Sequence, residues 1–340
     1  MASGHFQVEA ALLMLPLLML VLNSGGSGSA AGAVVPAVIV FGDSTVDTGN
    51  NNQIGTTLRS DFPPYGRDMP GGARATGRFG NGRLPPDFIS EALGLPPLVP
   101  AYLDPAYGIG DFARGVCFAS AGTGVDNATA GVLVSTASPA HRREVGEKGR
   151  RNQSRVGSRG PPRLGTGRFA EYTVAEFSDF LVAGARRFLS EIHRLGARRV
   201  TFAGLAPIGC LPLERAENMI HGGGCIEEYN RVAREYNAKV EAMLGALRAE
   251  LPDLRLAYVP VYDTMLDLVT NPAKFGLENV EEGCCATGRF EMGFMCNDEA
   301  PMTCADADKF LFWDAFHPTQ KVNRIMANHT IDICYQQGLL

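Results

Sequence analysis

The chain alternates between a few strongly patterned apolar stretches and long polar ones. The first apolar run, Ala10 to Leu22, is unbroken and is followed by a small, polar stretch from Asn23 to Gly32. A run of 13 residues is short for a membrane span and suits the core of a signal peptide. Ser29-Ala30-Ala31 supplies the small residues of a cleavage site, so residues 1–31 are expected to be a leader, although residues 1–9 carry no Lys or Arg. Val34 to Phe41 is β-branched, apolar and bounded by Gly42-Asp43, which predicts a buried strand ending in a turn. Residues 61–111 are rich in Gly and Pro and read as long loops with little regular structure.

The clearest helix spans Thr173 to Leu195. Thr173 and Glu176 form a capping-box pattern, and Phe177, Phe180, Leu181, Phe188, Ile192 and Leu195 recur on one face. Gly196 stops it. A strand is predicted at Val200 to Gly204, a helix at Ile226 to Leu251, a strand at Leu256 to Val261, and a last helix at about residues 319–336. Strands that alternate with helices predict an α/β fold with a mostly parallel sheet covered on both faces. Residues 34–340 are read as one domain.

Composition changes this picture at one place. The formal net charge is −5, which gives no reason to expect a nucleic-acid partner. Residues 141–163 nevertheless hold eight Lys or Arg against two Glu, a local +6 that leaves −11 on the rest. That tract has almost nothing to bury. Residues 136–168 are therefore expected to be an atypical, solvated and disordered segment. No stretch after the leader is long and apolar enough to span a bilayer, so no stable membrane insertion is expected.

Eight cysteines fit an exported chain with disulfides. Short loops predict the pairs Cys210–Cys225 and Cys296–Cys304, and Cys117 is the candidate free thiol. The cysteines lack the paired rhythm of a zinc site, so no metal and no cofactor are expected. Asn127, Asn152 and Asn328 each open a sequon and are candidate glycan acceptors. Such features predict an exported protein that works outside the cell.

There is no G-x-S-x-G elbow, no HExxH zinc motif, no GxGxxG and no phosphate-binding GK[ST]. What remains is a serine just beyond the first strand and a histidine just before the last helix. Reactive groups of an α/β sheet collect beyond the carboxyl ends of its strands, where Ser44 lies. A serine hydroxyl needs a neighbouring base. Of six histidines, His317 has a carboxylate three residues before it on a turn, Asp314, able to fix its tautomer. Taken alone, Ser44 also reads as a turn residue and His317 as a helix-entry residue.

The segment Val38-Ile39-Val40-Phe41-Gly42-Asp43-Ser44-Thr45-Val46-Asp47-Thr48-Gly49-Asn50-Asn51 resembles the first block of the plant GDSL esterase/lipases, part of the SGNH hydrolase superfamily. The resemblance continues through residues 76–83, 118–124 and 207–212, and closes with Phe312-Trp313-Asp314-Ala315-Phe316-His317-Pro318-Thr319. It covers most of residues 35–337 and implies a three-layer α/β/α fold with no cofactor. It also implies that Ser44 is the nucleophile, His317 the base and Asp314 its orienting carboxylate. The backbone N–H groups of Ser44 and Gly122 would form the oxyanion hole, and Asp47 is read as structural.

One block is missing. The family's Gly-x-Asn-Asp motif, whose asparagine would be a further oxyanion donor, is absent between residues 131 and 169, where the basic tract stands. The abrupt change of composition there is the signature of a retained intron or frame error. The expected activity is hydrolysis of small-molecule or lipid carboxylic esters, impaired by that loss. A GDSL-type acyltransferase and a catalytically dead binding protein are the rivals.

Overall fold

The computed structural model describes residues 19–22, 35–126, 128, 168, 171–300 and 302–340. The basic tract, Asn127, Asn152 and most of the leader lie outside them. Seven strands are described: β1 (Met19–Leu22), β2 (Val38–Phe41), β3 (Gly115–Cys117), β4 (Arg199–Ala203), β5 (Arg255–Val259), β6 (Asn279–Gly283) and β7 (Phe310–Phe312). The helices are α1 (Pro85–Ala92), α2 (Ile109–Phe112), α3 (Val174–Arg194), α4 (Pro212–Glu217), α5 (Glu227–Glu250), α6 (Val261–Thr270) and α7 (Gln320–Gln336).

The main sheet has the order β3-β2-β1-β4-β5. β2 pairs parallel with β3 and β4 pairs parallel with β5, while β1 runs antiparallel to both β2 and β4. Four strands therefore point the same way, as the alternating sequence predicts for an α/β protein. The fifth, β1, comes from the apolar run read as the leader. Its backbone fills the position between the two parallel pairs, satisfying groups that would otherwise lie unpaired in the middle of the sheet.

Alternation along β2 shows how the sheet is buried. Val38 and Val40 enter a cluster with Phe88 and Ile89 of α1 and Ala327 of α7. Ile39 and Phe41 instead pack against the larger cluster that holds α3, α5, β4 and β5. The α3 helix begins as its capping box predicts: the Thr173 hydroxyl accepts from the Glu176 amide at 3.3 Å, and the Glu176 carboxylate accepts from the Thr173 amide at 2.8 Å. Phe177, Leu181, Ala185, Leu189 and Ile192 are its buried face, whereas Leu195 at its end is exposed.

The expectation of loops over residues 61–111 is corrected by α1. Pro85 and Pro86 break helices in their interior but suit a first turn, where their missing N–H groups have no partner to lose. Asp87 secures that turn by accepting from the Leu84 amide at 3.0 Å. Its carboxylate also receives the Arg78 guanidinium through two 2.8 Å bonds and the Val99 amide at 2.8 Å. This ion pair is buried, with side-chain exposure of 5% for Arg78 and 0% for Asp87. Arg78→Met strands the carboxylate, so urea unfolding should show a loss of about 3–5 kcal/mol. Adding Asp87→Asn should recover part of it by removing the stranded charge while keeping an acceptor for the backbone amides; a single variant as stable as the parent would contradict this.

Candidate active site

Two segments that are far apart in sequence meet beyond the end of β2. The chain leaves Phe41 and turns at Asp43, whose Oδ1 accepts from the Thr45 amide at 2.9 Å and the Thr45 hydroxyl at 2.8 Å. This tight local turn projects Ser44 outward, half-buried, while Asp43 stays inside. Burial pushes the Asp43 carboxyl up to about 6, against the hydrogen bonds from Thr45.

The residues after the serine act as a template for the neighbouring loop. Asp47 is fully buried and accepts from the amides of Gly49 and Asn50 at 2.8 and 2.7 Å and from that of Ala121 at 3.0 Å. Asn50 donates to the carbonyls of Cys117 and Ala119, and Asn51 to the carbonyl of Ala121. The Ser120 hydroxyl donates to Asn51 Oδ1, and the Ser120 amide to the Gly42 carbonyl. Gly122 follows at φ 77°, a left-handed conformation that a side chain would strain. Among the described residues, neither the Ser44 nor the Gly122 amide has a backbone acceptor. Both are thus available as donors.

The second segment is the turn after β7. The Trp313 amide donates to the His317 carbonyl at 2.7 Å and closes it. Asp314 Oδ1 accepts from the amides of Phe316 and His317 at 2.9 and 2.7 Å, which folds the imidazole back onto the carboxylate. His317 Nδ1 lies 2.9 Å from Asp314 Oδ1 and 2.8 Å from Oδ2, and its Nε2 lies 2.8 Å from Ser44 Oγ. Asp314 and His317 are buried, at 0% and 1% exposure. A carboxylate only accepts, so Nδ1 carries the proton, and Nε2 is left to accept from the serine hydroxyl. The structure therefore brings Ser44, His317 and Asp314 into one hydrogen-bonded line.

Neighbouring loops hold this turn in place. The Cys284 and Cys285 amides donate to the carbonyls of Phe312 and Trp313, Ala315 donates to Glu291, and Leu213 of α4 donates to Ala315. Two disulfides brace the same region, and here one expected pair is corrected. Cys296 joins Cys285 and Cys304 joins Cys284, whereas Cys210 and Cys225 are bonded to each other. A rule of nearest spacing links Cys296 to Cys304, but the adjacent cysteines 284 and 285 each capture one of them. Cys117 and Cys334 are buried free thiols, and burial, then the Asp47 charge, pushes Cys117 up to about 12. Asn328 is exposed on α7. Among the described residues no helix is long and apolar enough to cross a membrane.

The order of these blocks is that of a hydrolase family. The chain matches the family model of the GDSL-like lipase/acylhydrolases over residues 38–156 and 166–330, and it belongs to that family. It is a carboxylic ester hydrolase. GDSL esterase/lipase At4g26790 of Arabidopsis thaliana is 48% identical over 320 residues, covering 88% of this chain and 91% of its own. GDSL esterase/lipase At2g42990 of the same plant is 48% identical over 322 residues, covering 88% and 92%, and At2g04570 is 47% identical over 319, covering 86% and 90%.

Sequence reasoning did not single out Glu214 on α4, beside the turn that carries Asp314 and His317. Among the described residues its Oε2 has no hydrogen-bond partner, and burial, then the Glu217 charge, raises the carboxyl to about 7 from 4.5. The folded state therefore binds this proton more tightly than the unfolded chain, and stability falls as pH rises from about 4.5 to 7. Glu214→Gln should remove that slope: no gain at pH about 4, and a gain on the order of 1–3 kcal/mol at pH about 8. Thermal melts across this range check it; a gain of equal size at both ends would refute it.

Proposed function

We propose that this hydrolase is exported and cleaves carboxylic esters through an acyl-serine intermediate, on a three-layer α/β/α framework. Ser44 is the nucleophile, His317 the general base and Asp314 the group that orients it. The observation that supports this most directly is the unbroken line from Ser44 Oγ through His317 to Asp314. Nε2 takes the hydroxyl proton as Oγ attacks the ester carbonyl, and the amides of Ser44 and Gly122 face the resulting oxyanion. His317 then hands that proton to the leaving alcohol. Water repeats the sequence in reverse and frees the acid.

Rapid acid quenching during turnover of p-nitrophenyl acetate should leave one acetyl group on the peptide that contains Ser44. Added alcohol should divert only a minor share of acyl groups. Acetylation elsewhere would overturn the assignment, and an alcohol product in majority would make the enzyme an acyltransferase.

The lost Gly-x-Asn-Asp block should limit the rate. Replacing residues 136–168 with a segment that carries it should raise kcat by roughly 10²–10³. A folded replacement with unchanged kcat would show that the asparagine is not needed. Export should remove residues 1–31, which N-terminal sequencing of secreted protein checks. That removal takes β1 away and uncovers the facing edges of β2 and β4.

A further inference from the structure

Asp314 has a fourth partner, from a part of the chain with no obvious link to the chemistry. The Tyr65 hydroxyl donates to Asp314 Oδ2 at 2.7 Å, across 249 residues of sequence. The same hydroxyl oxygen accepts from the Gly293 amide at 2.9 Å. Tyr65 is 1% exposed, and its ring stands in a box of aromatic neighbours: Phe62, Phe79 and Trp313, at centroid distances of 5.8, 6.0 and 6.3 Å. The ring cannot turn without displacing them. Phe79 in turn lies 5.1 Å from the His317 ring. The phenol remains protonated, because burial and then the Asp314 charge push its pKa well above the ordinary tyrosine value.

We propose that Tyr65 is a positioning residue of the esterase reaction, fixing the Asp314 carboxylate so that Oδ2 faces His317 Nδ1. The proposal rests on the triad reading above. It follows from how the carboxylate is held. Among the described residues, Oδ1 accepts from the two amides of its own turn and lies 2.9 Å from His317 Nδ1, whereas Oδ2 meets Tyr65 and the imidazole. Without the phenol, the carboxylate retains a single pivot and can rotate away from the ring. Gly293 completes the support, because its loop is closed by the Cys285–Cys296 disulfide and aims its N–H at the phenol oxygen. The donor that steadies Asp314 is thus itself steadied by a covalently closed loop. Among the described residues the Tyr65 hydroxyl bonds to Asp314 and Gly293 and not to Ser44, so its effect on the chemistry runs through Asp314.

The test is a double-mutant cycle on the full chain, with kcat and KM for a p-nitrophenyl ester and the melting temperature of each variant. Tyr65→Phe should lower kcat about 10- to 100-fold, the worth of a hydrogen bond to a charged group, with KM within twofold. In an Asp314→Asn background the same change should alter kcat less than threefold, since nothing remains to be positioned. If Tyr65→Phe fails to fold, Tyr65→4-fluorophenylalanine fills nearly the same space as tyrosine while donating nothing, and takes its place in the cycle. An equal loss in both backgrounds, or a rise in KM without a fall in kcat, would make the role merely structural and overturn the proposal. An unchanged kcat in Tyr65→Phe, beside a large loss in Asp314→Asn, would overturn it while leaving the triad intact. An unchanged kcat in Asp314→Asn alone would instead remove the triad reading.

Discussion

Ser44→Ala should lower kcat for a p-nitrophenyl ester by about 10⁴-fold or more while leaving the melting temperature within a few degrees. Two properties of the site set these expectations. Among the described residues the Ser44 hydroxyl is the nucleophile hydrogen-bonded to His317 Nε2, at 2.8 Å, so its loss should end acyl transfer rather than weaken it. The side chain is only half-buried, and the turn that carries it is held by Asp43 and Thr45, so the truncation opens no core cavity. Some rate above solution should persist, because the proposed oxyanion donors, the Ser44 and Gly122 amides, remain and water can attack in the serine's place. A fluorophosphonate probe should label the parent at Ser44 and the variant nowhere. Labelling of the variant, or a fall in rate below tenfold, would place the nucleophile elsewhere.

Local chemistry made part of this architecture readable in advance. The Thr173 and Glu176 pair marked the start of α3, and Gly196 its end, because caps depend on residues within a turn of each other. Regular apolar spacing did the same for α5 and α7. In α1 the signal was masked, since its two prolines and the glycines around it read as loop while the partner of Asp87, Arg78, stands nine residues earlier. Neighbouring β3 has three residues, too few to show a period.

The site divides in the same manner. Asp314 and His317 sit on one turn, and a carboxylate three residues before a histidine is a local pattern. Ser44 stands 273 residues from His317, and only the order of motif blocks joined them ahead of the structure. Tyr65 had no such help. Its flanks are Pro64 and Gly66, the composition of a loop, and nothing within a turn of it reports that it closes against Asp314. The Cys296–Cys304 pairing failed for a related reason: Cys284 and Cys285 are placed by amides that donate to the Phe312 and Trp313 carbonyls, a long-range contact that spacing along the chain does not encode.

Asp314→Asn should cost nearly as much as loss of the serine, about 10⁴-fold in kcat, although the two side chains are almost the same size. The carboxylate accepts from Phe316 and His317 amides at Oδ1 and from Tyr65 at Oδ2, and His317 Nδ1 reaches both oxygens. An amide has only one acceptor atom. The two backbone donors cannot rotate, so the carbonyl oxygen must stay with them and the NH₂ must take the place of Oδ2. There it points a donor at Nδ1. The imidazole answers by moving its own proton to Nε2, which then presents N–H to Ser44 Oγ and can no longer receive the serine proton. Geometry survives and chemistry does not. Folding should therefore change little, KM should stay near its parent value, and labelling of Ser44 by a fluorophosphonate should slow in step with kcat. A variant that folds normally and retains more than a tenth of the parent kcat would mean that His317 keeps its tautomer without Asp314.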